Sequence, residues 1–219
     1  MNESSPLTVF FGAAIQGARD RKARSDIHRR LIETIKFFGC HVLSEHTGGS
    51  DFDQTAALME DTIGPLPDEG KQRTVYVRDE MIRMVESAID AAIFEVSTPS
   101  LGTGIEIAHA YLRPRLSLSP IPVIALYQKN YWPNHLSAMI DGLSKEKVPH
   151  FTLLEYEDMD HAAQLLDPIL SSLKPGSQSP KAGTISARKC PCCGHHEIGM
   201  TAEDASFTPL RPGMHVKIK

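Results

Sequence analysis

The chain has 219 residues, of which 41% are apolar and 23% charged, with 15 glycines and 15 prolines. That length and apolar share suit one domain of about 150–200 residues plus an appendage, and they exclude a largely disordered chain, a collagen-like repeat and a disulfide scaffold. No run of 18 apolar residues occurs and residues 1–7 lack a basic-then-apolar design, so the expectation is a cytoplasmic protein with neither a transmembrane span nor a secretory signal.

The net charge of −4 hides an asymmetry. Residues 174–219 carry seven Lys or Arg against three Asp or Glu, and residues 1–173 carry 16 against 24. An acidic body of this kind is a poor match for a nucleic-acid polymer, and the basic tail is too sparse to serve as a binding arm. Three of the four cysteines lie in the tail, at Cys190, Cys192 and Cys193. This usage fits a reducing compartment.

In chain order, residues 7–11 (Leu-Thr-Val-Phe-Phe) form a continuous apolar run, the pattern of a strand buried on both faces. A glycine-punctuated turn, 12–19, follows. Ile27, Leu31, Ile35 and Phe38 sit at helical spacing over 25–38, and Gly39 marks the stop. Residues 40–43 read as a second strand. The stretch 47–70 is rich in Gly, Pro, Asp and Thr, which predicts a long loop with one helical turn at 56–59. A helix is expected over 78–89 through Met81, Val85, Ala88 and Ile89, with Asp79 at its start. Residues 91–96 make a third strand, 97–103 a turn, and 104–112 a helix. A strand at 122–127, a helix at 135–142, a strand at 151–155 and a helix at 161–173 complete the body. Strands alternating with helices predict a doubly wound, mostly parallel α/β sheet of about five strands. The expected division is a catalytic body at 1–173, a linker at 174–187 rich in Pro, Gly and Ser, and a Cys/His-containing tail at 188–219.

In open α/β sheets, ligands bind beyond the carboxyl ends of the strands. Two segments put unusual residues there. In the turn 12–19, small residues allow backbone to approach an anion and Arg19 supplies charge, although an ordinary tight β–α turn would look the same. In the second, Pro99-Ser-Leu-Gly-Thr-Gly-Ile-Glu106, the glycines open space beside a helix start that can hold phosphate. Glu106 is expected in that helix's first turn, where the dipole would keep its carboxylate ionised, as a nucleophile or as a plain dipole partner. Asp79 is either a helix cap or a second carboxylate in the same cleft. A nucleophile with a proton donor is what displacement at an anomeric carbon requires. His46, after the second strand, reads as a ligand-end or a surface-loop histidine.

Taken together, Phe-Phe-Gly-Ala-Ala-Ile-Gln-Gly-Ala-Arg (10–19), Val-Leu-Ser-Glu-His (42–46), Arg-Asp (78–79), the run from Glu95 to Ala110 and Leu-Ser-Ala-Met-Ile-Asp-Gly (136–142) resemble the 2′-deoxynucleoside 5′-phosphate N-hydrolases of the nucleoside 2-deoxyribosyltransferase superfamily. The resemblance covers about residues 7–170. It implies a flavodoxin-like fold, a homodimer, and cofactor-free cleavage of the N-glycosidic bond of a nucleoside 5′-monophosphate to free base and (deoxy)ribose 5-phosphate. Glu106 would be the nucleophile, forming a glycosyl-enzyme ester, and Asp79 would assist the departing base. Phe10, Ala13, Ile15, Gln16, Gly17, Ala18, Arg19, His46, Ser100 and Gly102 would surround sugar and phosphate, with Ser137 supplied across the dimer interface. Phe10 stands where deoxy-specific relatives carry Tyr, which implies room for a 2′-hydroxyl.

Competing expectations are a transferase that swaps bases on free nucleosides, a phosphoribohydrolase of the cytokinin-activating type, and a non-catalytic nucleotide-binding regulator. In the tail, Cys190 and Cys193 have C-x₂-C spacing, and His195 and His196 follow, so a structural zinc is one reading and a small β appendage with free thiols the other.

Overall fold

The computed structural model describes residues 6–15, 20–129, 131, 135–143 and 148–174, together with the backbone of 184–189, 196–202 and 205–207. The strands of the body are β1 (Leu7–Ala13), β2 (Cys40–Val42), β3 (Ala91–Glu95), β4 (Val123–Gln128) and β5 (Phe151–Tyr156). They form one sheet in the order β2-β1-β3-β4-β5, with every pairing parallel. This is the flavodoxin-like strand order, and its topological switch point lies between β1 and β3.

The helices are α1 (Arg21–Phe37), α2 (Phe52–Ile63), α3 (Lys71–Glu86), α4 (Leu101–Tyr111), α5 (Ala138–Asp141) and α6 (Met159–Leu173). Because successive strand residues face opposite ways, the odd residues of β1 and β3 (Val9, Phe11, Ala13, Ala91, Ile93) pack with Leu31 and Ile35 of α1 and Leu166 and Leu170 of α6. The even residues (Phe10, Ala92, Phe94) pack with Met81, Met84 and Val85 of α3 and Ile107 and Ala110 of α4. Both faces are thus covered, as the continuous apolar strand runs require. Among the described residues no helix is long and apolar enough to cross a membrane.

Several helices differ from their expected extents. The stretch expected as a loop contains the twelve-residue α2. Its signal is a cap: Asp51 accepts from the Gln54 N–H at 2.8 Å, and the Gln54 side chain accepts from the Ser50 N–H at 2.7 Å. Helix α3 begins at Lys71 rather than near Asp79, so Asp79 lies mid-helix and caps nothing; the β-branched Thr74, Val75 and Val77 obscure its first half in sequence. Helix α4 begins at Leu101, with Ser100 as N-cap accepting from the Thr103 N–H. Its glycines look like a turn, yet this cap offsets their unfavourable helix propensity, about 1 kcal/mol each. Helix α5 is a single turn of four residues.

In the tail, β6 (Thr184–Lys189), β7 (His196–Ala202) and β8 (Ala205–Phe207) make a separate antiparallel sheet in that order. Strand β6 starts inside the stretch whose composition reads as linker.

Candidate active site

Strand β1 ends at Ala13, level with Glu95 at the end of β3. One position earlier, Gly12 pairs with Phe94. A Cβ at Gly12 would lie 2.6 Å from Phe94 Cδ1 and 2.9 Å from Glu106 Oε2. The missing side chain is therefore what lets the Phe94 ring and the Glu106 carboxyl, arriving from α4, both reach the end of β1. The Glu106 carboxyl sits at the switch point, where this fold class binds ligands.

Helix α4 begins at 101, so Glu106 lies in its second turn, and no acidic residue occupies the first. The expected stabilisation by the helix dipole, which fades beyond the first turn, is corrected accordingly. The residue is half-buried, but its carboxyl end is packed in protein, and this burial pushes the carboxyl up to about 8. A proton is held there until well above the usual carboxylate range.

Asp79 is exposed on α3 and paired with Arg78 at 2.6 Å. It lines an open groove with Arg78, Ile82, Arg83, Glu86 and Ser87, a wall that does not include Glu106. No hydrogen bond or ion pair joins the two carboxylates among the described residues. Helices α3 and α4 are instead bridged by Glu86 and His109 Nδ1 at 2.7 Å.

Ala13 is buried at the end of β1 and Ile15 is half-buried beyond it. Phe10 is fully buried, its ring centroid 5.8 Å from that of Phe94, so it belongs to the core beneath the site. Ser100 is half-buried as the α4 cap, and Gly102 is exposed two residues on, in the helix's first turn. His46 is buried in a 3₁₀ turn after β2, with Nδ1 unpartnered, and burial lowers its imidazole to about 4. It is a neutral ring rather than the surface-loop histidine that sequence also allowed. Ser137 is exposed and caps α5, accepting from the Met139 N–H at 3.3 Å. Gln16, Gly17, Ala18, Arg19, Cys190, Cys193 and His195 lie outside the described residues, as does the side chain of His196. Among the described residues no group of three or more His, Cys, Asp or Glu is placed to hold a metal.

One cluster was missed in sequence. Glu95 is fully buried, with Arg24 Nη2 2.5 Å and His28 Nε2 3.6 Å from Oε2. Its Oε1 accepts from the Tyr156 hydroxyl at 3.2 Å and from the Ser97 hydroxyl and N–H. Ser97 Oγ in turn accepts from the Gln128 N–H at 2.7 Å, and Gln128 Oε1 accepts from Arg24 at 2.9 Å. Burial pushes the Glu95 carboxyl up, but His28 and Arg24 outweigh it and hold the group at about 2. The signal was visible: a glutamate closing the otherwise apolar strand Ala-Ala-Ile-Phe-Glu. Through these contacts it ties Ser97, in the turn after β3, to Arg24 in the first turn of α1.

No protein-family model matches the chain. Individual proteins do. A protein of Thermofilum pendens assigned as 2′-deoxynucleoside 5′-phosphate N-hydrolase 1 is 34% identical over 171 residues, 78% of this chain and 97% of the relative. Its namesake from Nematostella vectensis is 30% identical over 159 residues, covering 72% and 91%. The 5-hydroxymethyl-dUMP N-hydrolase of Rattus norvegicus is 26% identical over 140 residues, covering 64% and 72%.

Proposed function

This chain belongs to the 2′-deoxynucleoside 5′-phosphate N-hydrolase family, and we propose that its own reaction is hydrolysis of the N-glycosidic bond of nucleoside 5′-monophosphates, with Glu106 as nucleophile. The observation that carries the reading is the Glu106 carboxyl seated against Gly12 at the switch point. The relatives' names supply the substrate class: deoxynucleoside 5′-phosphates, one of them 5-hydroxymethyl-dUMP.

In the first step a Glu106 oxygen bonds to C1′ of the sugar. The C1′–N bond breaks with its electron pair leaving on the base, which takes up a proton. In the second step water attacks C1′, loses a proton and releases Glu106 and the sugar 5-phosphate. Each step passes through oxocarbenium character that a nearby carboxylate stabilises. A carboxylate shielded from water acts more strongly on that charge once ionised. Because Glu106 must be ionised to attack, kcat/KM rises with pH toward a midpoint near 8 in the free enzyme.

Asp79, exposed and paired with Arg78, is the group proposed to protonate or orient the departing base. The α4 N-terminus, with Ser100, Gly102 and the turn 13–19, is proposed to hold phosphate and sugar. A homodimer in which Ser137 of the partner subunit completes the phosphate pocket is supported by apolar surface near both elements. Leu101 is 91%, Ile105 52% and Met139 82% exposed, an arrangement that favours cover by another chain.

The test is to incubate the purified chain with the eight common ribo- and deoxyribonucleoside monophosphates and look for free base by chromatography. The expected result is base release from monophosphates at least tenfold faster than from free nucleosides, lost on the order of 10³-fold or more in Glu106→Gln. Base exchange on free nucleosides would make the protein a transferase. Binding without turnover would make it a regulator. Either outcome rejects the proposal.

A further inference from the structure

The face of the sheet beneath Glu106 is built as a checkerboard. Phe10 and Gly12 of β1 stand level with Ala92 and Phe94 of β3, so that each large residue has a small one beside it. Phe94 is fully buried, backed by Phe10, and its ring edge lies where a Gly12 side chain would project. The Glu106 carboxyl meets the same small volume from α4.

We propose that Phe94 is a positioning residue for Glu106: its ring, seated over Gly12, is the apolar wall that fixes the carboxyl at the end of β1 and excludes water from its Oε2 side. The proposal rests on the catalytic reading of Glu106 for its functional meaning, though not for its measurement.

Among the described residues, the charged groups around α4 leave this wall decisive. Strand β1 offers no titratable side chain. The only acid of β3 is Glu95, which points to the opposite face and is paired with Arg24. Strand β4 contributes Tyr127. The 3₁₀ turn after α4 contributes Arg115 and Arg113, the latter donating to the Val85 and Ser87 carbonyls. On α3, Glu86 is engaged by His109, Asp79 by Arg78 and Glu80 by Arg83. Burial is the cause of the raised Glu106 value. Removing the ring admits water and returns the carboxyl toward its ordinary range.

The experiment is a ¹³C-carboxyl NMR titration of the full chain labelled at glutamate, with the Glu106 signal assigned by its loss in Glu106→Gln. The expected wild-type midpoint is near 8, falling by about one pH unit or more in Phe94→Ala, a tenfold change in acidity. Phe94→Val, a smaller excavation for the case that alanine prevents folding, moves the midpoint in the same direction. Phe11→Leu, a core change on the opposite face, lowers the melting temperature without moving it. An unchanged midpoint in the Phe94 variants, or an equal shift in Phe11→Leu, overturns the proposal. If Glu106→Gln leaves turnover intact, the catalytic reading fails while the titration still decides whether Phe94 controls the carboxyl. If both hold, the acidic limb of the kcat/KM profile moves with the midpoint.

Discussion

The two faces of the sheet each carry a shielded carboxyl near the ends of β1 and β3, and they behave in opposite ways. On the α1 and α6 face, Glu95 is fully buried, yet Arg24 and His28 keep it ionised to about 2. On the α3 and α4 face, Glu106 is less buried overall, but Gly12 and Phe94 lie against its carboxyl with no cation paired to it among the described residues, and it holds its proton to about 8. Burial alone therefore does not set the charge of a carboxyl; its partners do. The paired group is suited to holding a turn in place. The unpaired one is suited to chemistry, because its charge is stabilised by whatever positive character a substrate develops beside it.

That contrast breaks first on the paired side. Arg24→Ala leaves Glu95 buried with His28, Tyr156 and Ser97 but without its guanidinium partner, and is expected to destabilise the domain by about 3 kcal/mol in urea unfolding at pH 7. A loss below about 1 kcal/mol would mean that Glu95 does not depend on Arg24. The pH dependence of stability sharpens the contrast further. Glu95 has a folded value below its ordinary 4.5, so its contribution is present above pH 4.5 and lost as pH falls toward 2. Glu106 has a folded value above 4.5, so the folded state binds more protons between 4.5 and 8, and stability declines as pH rises through that window. Glu106→Gln is expected to remove this decline and to be more stable than wild type at pH 8, as read by denaturant midpoints across the window. His46, lowered from 6.5 to about 4, adds a contribution lost as pH falls from 6.5 to 4, and His46→Gln should flatten that limb. The smallest effect is expected at the exposed Arg78–Asp79 pair. Asp79→Asn should change stability by less than about 1 kcal/mol. The same variant should slow base release by about 10²-fold if the group protonates the leaving base. Unchanged turnover would remove Asp79 from the mechanism.

The sequence carried the sheet plainly. Five apolar runs of strand length, separated by helical periodicity, allow few arrangements other than a parallel sheet covered on both sides. Family membership was equally legible, in the run from Glu95 to Ala110 and in Leu-Ser-Ala-Met-Ile. The helix starts were less so. Gly102 and Gly104 look like a turn until Ser100 is seen to cap them, and α2 was hidden by Gly and Asp flanks although Asp51 and Gln54 announce its cap. The start of α4 at Leu101 puts Glu106 beyond the first turn, where the dipole has faded, and burial of its carboxyl then raises the value instead of lowering it.

Local pattern thus determined which residues form the strands, which faces they bury and which glutamate stands after the Gly-rich segment. The charge of that glutamate depends on what lies within a few ångströms of it, and those neighbours are Phe94, on the preceding strand, and Gly12, distant in the chain. Only the parallel pairing of β1 with β3 sets Phe94 over Gly12 beneath Glu106 and sends Glu95 to Arg24 on the other side. Desolvation and pairing act through space, so their balance was decided by the tertiary structure alone.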